Sequence, residues 1–421
     1  MCRSVILLAA TLPLSVPLYA YSVLAHEAVI DASWGGGIRP LLLEKFPNAT
    51  AADLREARAY AYGGCVIQDM GYYPFGSHFF TDLTHYVRSG DFVLALLRDS
   101  QSLDEYAFSL GALAHYASDE EGHALAVNLS VPVEYRKLRR RYGNVVTYED
   151  DPHAHLKVEF GFDVLQVAQG KYAPPDYHDF IGFKVSKPVL ERAFQDTYGL
   201  HLTDVFSEVD LSIGTYRRVV SVIVPEMTKV AWDLNKKDLT QAQPRLTQRK
   251  FEYRLSRRNY RATFGKQYHP FGLGVLVLAF WLRLMPRIGP FQFFGFKAPT
   301  PETARFFTDS FTRTVAVYGR LLKRAGQPGF RLTDRNFDTG APTRPVRYRM
   351  ADDAYAKLAR ELAEHPAAVT PAVRANVLAY FRDPELPYAT KKHRKSWRKT
   401  LAALQVLKSA GEASREAVPA K

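Results

Sequence analysis

The chain has 421 residues, of which 47% are hydrophobic and 24% charged, with a formal net charge of +13 at pH 7. That length and apolar content provide for a full hydrophobic core and exclude a chain disordered throughout. The positive excess favours phosphate-bearing partners, whether anionic lipid surfaces or nucleic acid, and is silent about fold. The two cysteines, Cys2 and Cys65, are too few for a disulfide framework, because Cys2 lies in the N-terminal segment.

Residues 5–24 are nearly all apolar or small and follow Arg3. This reads as an export signal over residues 1–25, or 1–20 if cleavage follows Ala20, with an uncleaved anchor as the alternative. The expected location is accordingly periplasmic, secreted or membrane-associated. Beyond it, apolar residues at helical spacing predict helices over 51–70, 104–120, 155–169 and 211–235. No alternating strand pattern and no internal repeat interrupts them, so the expected class is all-α.

A composition shift begins near Asp238. Arg245, Arg249, Lys250, Arg254, Arg257, Arg258 and Arg261 are opposed in that stretch only by Glu252. A boundary at 236–245 divides a first domain, residues 26–240, from a basic helical C-terminal region, residues 241–421. The latter holds an apolar segment over 271–296, ending in Phe291, Phe293, Phe294 and Phe296, and predicted helices over 300–324, 352–364 and 373–381. The apolar segment suits either a helix lying in the head-group layer of a membrane or a buried helix.

The chemistry is concentrated in His115, Asp119 and His123, followed by His155 and Glu159. Four-residue steps place these groups on single helix faces, and imidazole nitrogens with carboxylate oxygens are the ligands zinc takes. His26 and His85 are further candidates among the twelve histidines. His153 and His178 have no helical partner at ligand spacing and read as ordinary polar residues.

In order, His26, Asp69, His85, the trio His115, Asp119 and His123, and the pair His155 and Glu159 resemble the ligand pattern of the bacterial zinc-dependent phospholipases C, whose fold is shared by zinc-dependent single-strand nucleases. The resemblance covers residues 24–235. It implies three zinc ions, or two: Asp69, His85, His115 and Asp119 at the first, His123, His155 and Glu159 at the second, and His26 with a bridging Asp119 at the third. His78 competes with His85, which fits the family spacing better. Two departures are visible. The step from Asp119 to His123 is shorter than in the secreted members, and the N-terminal tryptophan of the family is absent.

The resemblance implies hydrolysis of a phosphodiester by metal-activated hydroxide, with Asp119 and Asp69 as the catalytic carboxylates and Asp69 orienting or deprotonating the water. Tyr72, Tyr73, Phe75, His78 and Phe79 lie between the first ligands and are candidates to touch substrate. Such rings hold a quaternary ammonium head group by cation–π attraction or stack on nucleobases. Phospholipid at a membrane surface is the expected substrate. A nuclease acting on nucleic acid, or a non-catalytic protein stapled by metal, are the alternatives.

Overall fold

A computed structural model describes residues 23–168, 183–242, 247–248, 297 and 299–416. The export signal, the arginine-rich stretch after residue 242, the apolar segment 271–296 and His178 lie outside the described residues, apart from the last residues of the signal. The described chain is helical and carries no strand. The first half runs through α1 (Val23–Ser33), α2 (Arg39–Lys45), α3 (Ala51–Gly64), α4 (His78–Tyr86), α5 (Ser89–Asp99) and α6 (Leu103–Gly122). There follow α7 (Asn128–Glu134), α8 (Arg136–Tyr142), α9 (Pro152–Ala168), α10 (Lys187–Tyr198), α11 (Leu202–Val205) and α12 (Val209–Ala242). The C-terminal part holds α13 (Pro301–Leu322), α14 (Arg349–Leu362), α15 (Pro371–Tyr380) and α16 (Arg394–Glu416). Among the described residues no helix is long and apolar enough to cross a membrane.

Helix ends follow local chemistry. At α3 the Thr50 hydroxyl accepts from the Asp53 N–H while the Asp53 carboxylate accepts from the Thr50 N–H, a reciprocal cap. Ser102 caps α6 in the same way as Thr300 caps α13 and Thr370 caps α15, each by accepting an N–H three residues on. α6 is the central helix, buried along almost its whole length. α3 crosses it closely because Gly64 and Gly111 stand at the contact. A Cβ on Gly64 would lie 1.8 Å from the Phe108 carbonyl oxygen, and one on Gly111 2.1 Å from that of Ala61.

After Gly122 the helix widens into a π turn, His123–Val127, before continuing as α7. Pro132 explains part of this irregularity. It has no N–H to return to Asn128, whose carbonyl instead accepts from Val146 at 3.0 Å. One hydrophobic cluster extends from Val23 to Leu407, so α14, α15 and α16 pack into the same core as α3 and α6. Cys65 is a free, buried thiol that donates to the Tyr62 carbonyl.

Candidate metal centre

Three buried groups of metal-ligand side chains form where α1, α4, α6 and α9 meet the 3-10 turn Ile67–Tyr72. In each, the potential ligand atoms lie within 4.8 Å of one another: His26, Asp69 and His115; His85, His115 and Asp119; His123, His155 and Glu159. Asp119 stands at the middle. Its oxygens are 3.1 Å from His115 Nε2, 3.3 Å from His26 Nε2, 3.4 Å from His85 Nε2 and 3.9 Å from His123 Nε2. Asp69 Oδ1 is 3.3 Å from His85 Nε2. The His26 and His115 rings stack at 4.4 Å, and those of His123 and His155 at 5.0 Å. All eight residues are at most 5% exposed.

The outer nitrogens of the imidazoles are tied back to the protein. His115 Nδ1 is 2.9 Å from the Cys65 carbonyl, and His85 Nδ1 is 3.0 Å from that of Thr81, so in both rings Nδ1 is the protonated donor. His155 Nε2 faces Asn128 Oδ1 at 2.8 Å. The Asn128 amide nitrogen donates to the Asp338 carbonyl, which leaves its oxygen to accept from His155 and so sets that ring's tautomer. Each of these three rings therefore turns its other nitrogen inward, the one that would bind a metal once it carries no proton.

The inward atoms form no hydrogen bonds with the protein. His85 Nε2, His115 Nε2, both Asp119 oxygens and both Glu159 oxygens are buried without such a partner. Burying carboxylates in that way is costly unless a cation compensates. The electrostatics show the strain. Burial opposes ionisation of Asp119, yet His115, His85 and His26 hold its carboxyl well below the usual range. Burial also opposes a charged His85, but Asp119 and Asp69 raise it to about 10. Glu159 Oε1 lies 2.6 Å from His155 Nδ1, yet burial, then the charges of Asp119 and Asp69, push its carboxyl far up. A nitrogen and oxygen donor set, inward lone pairs and uncompensated carboxylates together fit zinc.

The aromatic candidates separate. Tyr72 is buried and its ring lies 6.0 Å from His85 and 5.6 Å from His78. Tyr73 packs on Tyr216 at 3.9 Å, and Phe79 is buried beneath the Lys357 ammonium at 4.1 Å, so both belong to the packed interior. Phe75 is 57% exposed and has φ of 66°, at the tip of the loop before α4. His78 is exposed at the start of α4, while His85 is in the cluster. His153 is exposed.

Several neighbours carry no motif. Tyr148 lies 5.8 Å from His155 and 6.3 Å from Tyr72, so two tyrosines span the distance between the second group and the first. Phe337, fully buried, meets His85 at 5.3 Å and His115 at 5.9 Å, and its N–H donates to the His85 carbonyl. Asp163 accepts from the Leu24 and Ala25 N–H groups, fixing the start of α1 ahead of His26.

The described chain is an all-α fold around buried histidine and carboxylate sets that could hold metal ions. Residues 27–208 match the family model for zinc-dependent phospholipase C, and this segment is similar to that family. The matched segment contains every ligand candidate except His26. No individual curated protein and no solved structure matches the chain.

Proposed function

We propose that this protein is an exported phospholipase C that cleaves the phosphodiester of a phospholipid, holding three zinc ions. Asp69, His85, His115 and Asp119 are assigned to the first, His123, His155 and Glu159 to the second, and His26 with Asp119 to the third. The observation that carries this is Asp119 itself, a fully buried carboxylate with four imidazoles within 3.9 Å inside the family segment. Zinc bound there supplies Lewis acidity toward phosphate oxygens and lowers the pKa of water.

The remaining work falls to the chain. In the reaction, water adds to phosphorus and the bond from phosphorus to the glycerol oxygen breaks, releasing diacylglycerol and the phosphorylated head group. Asp69, the most exposed of the eight at 5%, orients the attacking water and takes its proton, which balances the one that the departing glycerol oxygen gains. Tyr72 and Tyr148 wall the site, exclude bulk water, and offer ring faces to a quaternary ammonium head group, worth ~0.5–2 kcal/mol each. Asp119 holds the imidazoles of the separate groups about one charge.

The test combines Asp119→Asn with zinc analysis and turnover on phosphatidylcholine micelles and single-stranded DNA. The variant is expected to lose at least one zinc equivalent and more than about 100-fold in turnover, since even an outer partner of a ligand is worth ~10–100-fold. Wild-type turnover by Asp119→Asn overturns the reading, and DNA cleavage without lipid hydrolysis by the wild type replaces the substrate with nucleic acid.

A further inference from the structure

The loop between α13 and α14 lies well beyond the family segment in sequence, yet it roofs the centre in space. Its residue Asp338 is 3% exposed and reaches both imidazoles of the second group. From its backbone, the carbonyl accepts from the Asn128 amide at 2.6 Å, and Asn128 Oδ1 in turn accepts from His155 Nε2 at 2.8 Å. From its side chain, Oδ1 faces His123 Nδ1 at 3.9 Å. That is about 1 Å beyond hydrogen-bond length.

The orientation of this carboxylate is set by others. Tyr86, next to His85 on α4, donates to Oδ2 at 2.9 Å, and Tyr348 donates to the same oxygen. With Oδ2 so engaged, Oδ1 is left for the imidazole. His123 has no hydrogen bond at either nitrogen, whereas His85, His115 and His155 each have an outer partner. His123 thus faces Asp119 through Nε2 and, at the same 3.9 Å, a carboxylate from the C-terminal part through Nδ1.

We propose that Asp338 is a positioning residue for the second metal group, its carboxylate aligning His123 and its carbonyl, through Asn128, fixing His155. This rests on the zinc reading above. Asp338 acts through the two imidazoles, so its loss weakens one zinc equivalent while leaving the others in place.

The full chain is loaded with zinc and dialysed against a graded series of buffered free-zinc concentrations, with bound zinc counted by elemental analysis and the zinc-free melting temperature followed by circular dichroism. Asp338→Ala is expected to release one equivalent at free zinc ~10- to 100-fold above that for the wild type. The other equivalents and the zinc-free melting temperature should stay unchanged. Asp338→Asn, which keeps a side-chain acceptor, shifts less, and Tyr348→Phe shifts in the same direction; if Asp338→Ala does not fold, these two decide. Superimposed release curves for the variants and the wild type overturn the proposal alone. A uniform weakening of all equivalents with a lowered zinc-free melting temperature also overturns it, by showing a general structural role. A wild type that binds no zinc overturns both this proposal and the zinc reading.

Discussion

Gly111 illustrates how a residue with no side chain controls the chemistry beside it. A Cβ there would lie 2.1 Å from the Ala61 carbonyl oxygen and 2.8 Å from the Cys65 nitrogen, both backbone atoms of the neighbouring chain segment. Backbone cannot swing aside as a flexible side chain does, so α3 and α6 must separate. The Cys65 carbonyl would move with them, and it is the group that holds His115 Nδ1 at 2.9 Å. Gly111→Ala is therefore expected to cost at least ~1–3 kcal/mol, the usual range for overpacking, and to loosen zinc at the groups that share His115. Gly319, within α13, has nothing within 4 Å of its Cβ position, and Gly319→Ala should stabilise by ~0.5–1 kcal/mol. Urea melts of the two variants, with zinc counted on each, check the contrast.

At the scale of elements, α1 explains why the sequence was readable only in part. Val23, Leu24, Ala25, His26, Glu27, Ala28, Val29 and Ile30 are all buried, so the helix has no polar face and shows no amphipathic period. The longer helices α3, α6, α9 and α12 begin or end within a few residues of their predicted limits, α6 although it too is buried along almost its whole length. The four-residue steps within α6 and α9 were legible because they are a property of one helix. Asn128, Tyr148 and Asp338 were not, since each arrives from a different element and no spacing rule links it to the ligands. The burial of α1 also bears on processing. A chain beginning at His26 would lack Leu24, which is fully buried, and both N–H groups that Asp163 accepts. Losing that side chain and the two hydrogen bonds to Asp163 should cost about 3 kcal/mol relative to a chain beginning at Tyr21. Thermal melts of the two forms decide it. Equal stability would show that the first turn of α1 contributes nothing.

Over the whole molecule, the C-terminal part is fastened to the helices of the metal centre by more than the shared core. Tyr116 on α6 donates to the Thr333 carbonyl, Ser89 exchanges hydrogen bonds with the Arg335 backbone, and Arg335 pairs with Glu120 at 3.0 Å. Asp334 joins this seam by accepting the Gly90 and Asp91 N–H groups at the start of α5, each at 3.1 Å. Burial, reinforced by the charge of Asp91, pushes its carboxyl up to about 6, against ~3.9 in an unfolded chain. The folded state thus binds this proton more tightly. Asp334's contribution is fully present below pH ~4, falls as pH rises from ~4 to ~6, and is level above that. Two pK units correspond to about 3 kcal/mol at most. Asp334→Asn keeps an oxygen to accept the two N–H groups and removes the charge, so it should be more stable than the wild type near pH 7 and lose that advantage near pH 4. Urea melts of the two zinc-free proteins across this window measure the difference directly, with the titration of the metal ligands common to both and cancelling. A difference that stays constant with pH would show that Asp334 is not the group that makes this seam pH-sensitive.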